Sequence, residues 1–115
     1  MKEKRRRKRL EFDSKLISLF NEWAGDGKDH SKQVYYQPPN KTQLTYPCII
    51  YNRGNTNTVF ADDSRYKEHD RWTVLVIGRD GDSGLVDYVL TLPYSTEEPT
   101  YKVDNLYHCP ITIYY

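Results

Sequence analysis

At 115 residues the chain is long enough for one domain with a single modest core. Its formal charge of +1 hides a division: residues 1–9, MKEKRRRKR, hold seven Lys/Arg and one Glu, and the rest holds ten Lys/Arg against fifteen Asp/Glu. A basic arm therefore precedes an acidic body, and because fields act locally this asymmetry matters more than the overall pI. No apolar run approaches the ~20 residues that span a bilayer. The basic start is not followed by the apolar stretch of a secretory signal. Two cysteines, Cys48 and Cys109, each lie in an apolar strand-like run. They read as buried free thiols, because a zinc site needs more Cys or His at short spacing. Eleven tyrosines against three phenylalanines suit half-buried sheet faces and wet interfaces, since the ring is apolar and its tip polar.

The first predicted element is a helix over residues 3–24. Phe12, Leu16, Leu19, Phe20 and Trp23 fall on one apolar stripe, widened by Ile17, and Glu11 with Lys15 makes a favourable i,i+4 pair. Gly25 and Gly27 supply the stop. The clear pattern covers 10–24. The basic run before it either extends the helix or frays, because its cations repel one another. The expected organisation is thus an arm, 1–9, and a single α+β domain, 10–115.

A polar connection follows over 25–45, with Pro38-Pro39 forbidding helix and Val34-Tyr35-Tyr36 as a short edge strand. Strands are expected at 46–52, 56–61 and 71–78. In the third of these an apolar residue at almost every position predicts a central strand covered on both faces. RDGDSG turns into a short helix, GLVDYVLTL, capped by Asp82 or Ser83, with Leu85, Val86, Val89 and Leu90 buried and Pro93 ending it. Two more strands are expected at 99–103 and 107–115, joined by a turn at Asp104-Asn105. The fold class is α+β: an N-terminal helix, a mostly antiparallel sheet of four to five strands, and one short helix between the third and fourth strands.

Catalytic signatures are few. There is no G-x-S-x-G, no phosphate-binding loop and no dinucleotide fingerprint. His30, His69 and His108 lie far apart in sequence. His108 and Cys109 are neighbours on one strand and so point to opposite faces. Asp62, Asp63, His69 and Asp70 read either as a divalent-cation site or as the polar tip of a hairpin. DDSRYKEHD has neither the turn glycine nor the ligand spacing of a calcium loop, whereas a polar link of this length between strands is ordinary. Lys4, Arg5, Arg6, Arg7, Lys8 and Arg9 form a second candidate site, suited to neutralising DNA phosphates with release of counterions. Their bland alternative is a solvated helix extension, or a segment paired with acidic surface on a neighbouring subunit. No aromatic residue interleaves them, so stacking on single strands is not supported.

Taken in order, YPCIIYNR, TVFADDSRY, DRWTVLVIGRDGDSGLVDYVLTLPY and DNLYHCPITIYY resemble the tail completion proteins (tail terminator or neck proteins) of long-tailed bacteriophages and prophages. The resemblance covers about residues 44–115. It rests on the order of its parts: a YP-led strand ending in Tyr, an A-D-D strand end with Tyr66 three residues after Asp63, a central strand ending in RD followed by a D-S-x-L helix ending in LP, and a D-N-L-Y-H turn before a terminal I-Y-Y. It implies a small subunit that assembles with itself into a ring, usually a hexamer in that family, at the head-proximal end of the tail. That ring stops growth of the tail tube and meets the head connector and other neck proteins. It implies a place in the virion, with host cytoplasm as the site of assembly, and no catalysis or cofactor; contact with genome DNA is an expectation that rests on the basic arm, and none is expected with a membrane. On this reading Asp62, Asp63, Tyr66, Tyr114 and Tyr115 are the subunit-interface candidates. The basic arm departs from the family's pattern, and the resemblance does not account for it.

Overall fold

The computed structural model describes residues 2–54, 69–81 and 84–115, with the backbone alone for 2–5. The described elements are α1 (Lys2–Ala24), a single 3-10 turn (Ser31–Gln33), β1 (Val34–Tyr36), β2 (Cys48–Arg53), β3 (Arg71–Gly78), α2 (Gly84–Val89), β4 (Ser95–Glu97), β5 (Tyr101–Val103) and β6 (Leu106–Tyr114). The fold is α+β, as expected. The expected strand 56–61 and the capping residues Asp82 and Ser83 lie outside the described residues.

The sheet runs β1-β2-β3-β6-β4, with β5 pairing a different stretch of β6. Four of its five pairings are antiparallel, and β1 with β2 is parallel. Register sets the core. Across β2, β3 and β6 the rows Ile49–Val76–Cys109 and Tyr51–Val74–Ile111, with Trp72–Ile113 beyond them, share one face. Both helices pack on it, through Phe12, Leu16 and Phe20 of α1 and Leu85 and Val89 of α2. Each large side chain so buried contributes about 1.5–3 kcal/mol relative to exposure. The helical stripe read from the sequence is thus the buried one. The far face carries Cys48–Ile77–His108 and Ile50–Leu75–Pro110. There Ile77 is buried while Thr73 and Leu75 are half-buried, so β3 is central but less fully covered on this side.

Three local devices hold the elements in place. Gly25, at φ 62°, ends α1 by donating its N–H to the Asn21 carbonyl at 3.0 Å, the left-handed stop that a side chain resists. Asp104 and Asn105, at φ 52° and 63°, make the two-residue turn between β5 and β6. Pro110 sits inside β6, where its carbonyl accepts the Glu98 N–H at 2.9 Å. Its missing N–H therefore faces that same outer edge, between the stretches paired by β5 and β4, where neither ladder needs it.

Differences from the expected elements are small and have physical causes. α2 stops at Val89; Leu90 still bonds back to Val86, and residues 91 and 92 then tighten into i→i−3 bonds, Thr91 to Tyr88 and Leu92 to Val89. β4 was not expected, because Ser95-Thr96-Glu97 has no apolar period. It forms because β6 offers an unpaired edge. β5 and β6 begin within two residues of their expected starts.

Candidate functional surface at the basic end of the first helix

α1 is continuous from Lys2 to Ala24, so the basic arm extends the packed helix without a break. Arg6 and Arg7 are exposed, while Lys8 and Arg9 are half-buried. Arg9 is the point where the basic run meets the fold. Its guanidinium carbon lies 4.8 Å from the centre of the Tyr36 ring, a cation–π contact that suits a half-exposed arginine.

Beneath it lies an aromatic cluster. Phe12 stacks on Trp72 at 4.5 Å and meets Tyr51 edge-on at 5.6 Å and Tyr115 at 5.1 Å. Tyr36 lies 5.0 Å from Tyr51. Tyr51 is fully buried, and its hydroxyl donates to Asp13 Oδ1 at 2.5 Å. Burial, with the Asp13 carboxylate adding to it, holds that hydroxyl far above the ordinary phenol range, while Arg9 opposes the effect. The hydroxyl therefore acts as a fixed donor tying helix to sheet. Asp13 was not singled out in the sequence, although it sits next to the apolar stripe.

The candidates separate in space. Tyr115, an interface candidate, is half-buried against its own Phe12, and burial with nearby Glu11 holds its hydroxyl above the ordinary range. It also lines a shallow surface groove with Leu10, Ser14 and Ser18. Tyr114 is half-buried and donates its N–H to the Tyr94 carbonyl at 3.2 Å. Asp62, Asp63 and Tyr66 lie outside the described residues, as do the side chains of Lys4 and Arg5.

Asp70 and His69, read with the aspartate pair as a cation site, have local partners. Asp70 bonds Tyr115 through both backbone groups at 2.9 Å, and its carboxylate lies 3.4 Å from Arg53 Nε. Arg53 in turn lies 4.4 Å over the Trp72 ring. His69 meets Tyr94 edge-on at 5.3 Å. Among the described residues no three His, Cys, Asp or Glu side chains stand close enough to hold a metal ion, and no helix is long and apolar enough to cross a membrane.

The thiols are buried and free. Cys48 faces away from the helices and Cys109 towards them. Burial pushes the Cys48 thiol up to about 12 and raises Cys109 as well, so both stay protonated near neutral pH and make poor nucleophiles. His108 stacks on Tyr101 at 5.0 Å on the face opposite Cys109, so the two form no dyad.

The chain matches no family model, no curated protein and no solved structure.

Proposed function

We propose that the protein is a structural subunit of a phage neck: a tail completion protein that closes with its own copies into a ring, a hexamer, at the head-proximal end of the tail. In that role it halts the tail tube and receives the head connector. Its partners are itself, the tube protein and the neck proteins, in the virion and, during assembly, in the host cytoplasm. The observation that carries this reading is the agreement between the ordered motifs and the elements. Tyr46-Pro47 leads into β2, Arg79-Asp80 closes the central strand β3, Leu92-Pro93 follows α2, and Asp104-Asn105 turns into β6. Motifs that each mark an element boundary belong to one fold, so their order reflects more than composition.

Charge supports the same reading. The basic end of α1 lies beside the ends of β2 and β6, whereas Trp23, at the other end, lies against Gly84 at the start of α2. Arg6 and Arg7 are exposed at the first end, whereas the second exposes both signs, Asp87 and Asp104 with Lys28, Arg79 and Lys102. A ring is built from heterologous contacts, one patch against a different one on the neighbour, and a basic patch that meets a neighbour's carboxylates aids register and encounter. The test is light scattering on the purified chain, alone and with preformed tail tubes. A closed oligomer in either condition is expected, and a chain that stays monomeric in both overturns the proposal.

The exposed Arg6 and Arg7 also favour a second reading, nonspecific binding of nucleic acid through the basic run. It predicts duplex binding that weakens steeply with salt and disappears when residues 2–9 are deleted. Binding that ignores salt removes this reading. The two readings are compatible, because genome DNA passes through a neck; the run then faces the lumen or a neighbouring ring.

A further inference from the structure

The segment that leaves α1, Asp26 to Gln33, contains no apolar residue, so polar contacts must hold it. They converge on His30. Its ring lies 5.1 Å from that of Phe20 at 29°, and its side chain is 15% exposed. Its backbone N–H donates to Asn21 Oδ1 at 2.8 Å, on the last turns of α1. Ring Nε2 lies 2.9 and 3.1 Å from the two Asp26 carboxylate oxygens, and Nδ1 lies 2.7 Å from Gln33 Oε1.

The Gln33 amide is oriented by a further bond, since its Nε2 donates to the Pro47 carbonyl at 2.9 Å. A carbonyl oxygen only accepts, so the amide NH2 must face Pro47 and the amide oxygen must face His30. Both ring nitrogens of His30 therefore face acceptors. A neutral imidazole has one N–H, and only the imidazolium supplies two.

We propose that His30 is a proton-operated latch: as the imidazolium it ties the exit of α1 to the edge strand β1, and on losing its proton it gives up either the Gln33 or the Asp26 bond. Gln33 directly precedes β1, which is three residues long and, among the described strands, pairs with β2 alone. Releasing Gln33 loosens β1 and frees the outer edge of β2, the kind of edge that accepts another strand. The charged groups around the ring are consistent with the protonated form. Asp26 and Asp29 lie on the turn. Lys28 and Lys32 are exposed and bond neither ring nitrogen. α1 presents Asn21 and Phe20, and the approach to β2 presents Pro47, none of them charged. The Gln33 bond first, then Asp26, holds the imidazole above its ordinary 6.5 against partial desolvation.

The test is a pH titration of the full chain by NMR, following the His30 ring and amide exchange together. His30 is expected to titrate above 6.5. Protection of residues 34–36 falls about tenfold across that midpoint, while Val74 and Ile111 in the sheet centre hold theirs. Asp26→Asn, at an exposed carboxylate that folding tolerates, lowers the midpoint and moves the β1 transition with it. A midpoint at or below 6.5, or β1 protection that does not follow the His30 midpoint in the wild type or in Asp26→Asn, overturns the latch.

Discussion

The two ends of α1 share a buried apolar seam, through Phe12 at one end and Phe20 at the other, and differ in what is added to it. At the basic end Phe12 inserts among Trp72, Tyr51 and Tyr115, and burial does the fastening. At the other end Gly25 turns the chain, and His30 with Asp26 and Gln33 hold it through hydrogen bonds and charge. Burial of apolar rings carries no titration of its own, whereas an ionic joint depends on pH and is screened by salt. The end that projects a charged surface is thus anchored by the contacts least disturbed when that surface meets a charged partner.

The largest expected effect lies at the aromatic end. Phe12→Ala removes a fully buried ring and should cost about 3–5 kcal/mol in denaturant unfolding. A loss below about 1 kcal/mol would mean that the cluster does not anchor the helix. Next comes Gly25→Ala. A Cβ there meets only the Glu22 carbonyl oxygen, at 4.0 Å, so its cost is conformational, about 1–2 kcal/mol for a left-handed position. Tyr51→Phe keeps the ring and deletes the bond to Asp13, costing about 0.5–1.5 kcal/mol by the same measurement.

Smaller still is the pH dependence of the polar end. The folded state raises His30, so its contribution is full below 6.5 and is lost as pH rises through the raised value. Bonds from the His30 ring first, and from the Lys28 N–H, lower Asp26. Its contribution is full above 3.8 and is lost as pH falls through the lowered value. The polar end should therefore be tightest between 3.8 and 6.5. Thermal melts of wild type and His30→Asn should diverge most in that window and converge above it. Salt should narrow the difference, while leaving the penalty of Phe12→Ala unchanged. Last, reversing Arg6 and Arg7 to Glu should move stability by no more than about 0.5 kcal/mol, since both are exposed. The same change should abolish self-association or DNA binding.

What the sequence made legible followed from periodicity and turn chemistry. Phe12, Leu16 and Phe20 at helical spacing marked the buried face of α1, and a near-continuous apolar run in 71–78 marked a central strand. Asp104-Asn105 announced its hairpin. β4 escaped because an edge strand of Ser, Thr and Glu has no apolar rhythm and exists only through its pairing with β6. The tyrosines were legible as amphipathic rings but not as to destination. Tyr51 and Tyr115 anchor α1 from within the chain, which only the register of β2 and β6 reveals. The His30 latch was hidden for a similar reason. Asp26, His30 and Gln33 stand at i, i+4 and i+7, but the segment is not an α-helix, and the decisive bond runs to Pro47, fourteen residues beyond Gln33.

The central claim is that this chain is built into the neck of a phage particle, and quantitative mass spectrometry of purified virions tests it most directly. The account predicts the chain in intact particles, at a copy number fitting one ring per tail and lower than that of the tube protein. Virions that lack the chain, purified from cells in which it is abundant, would contradict it.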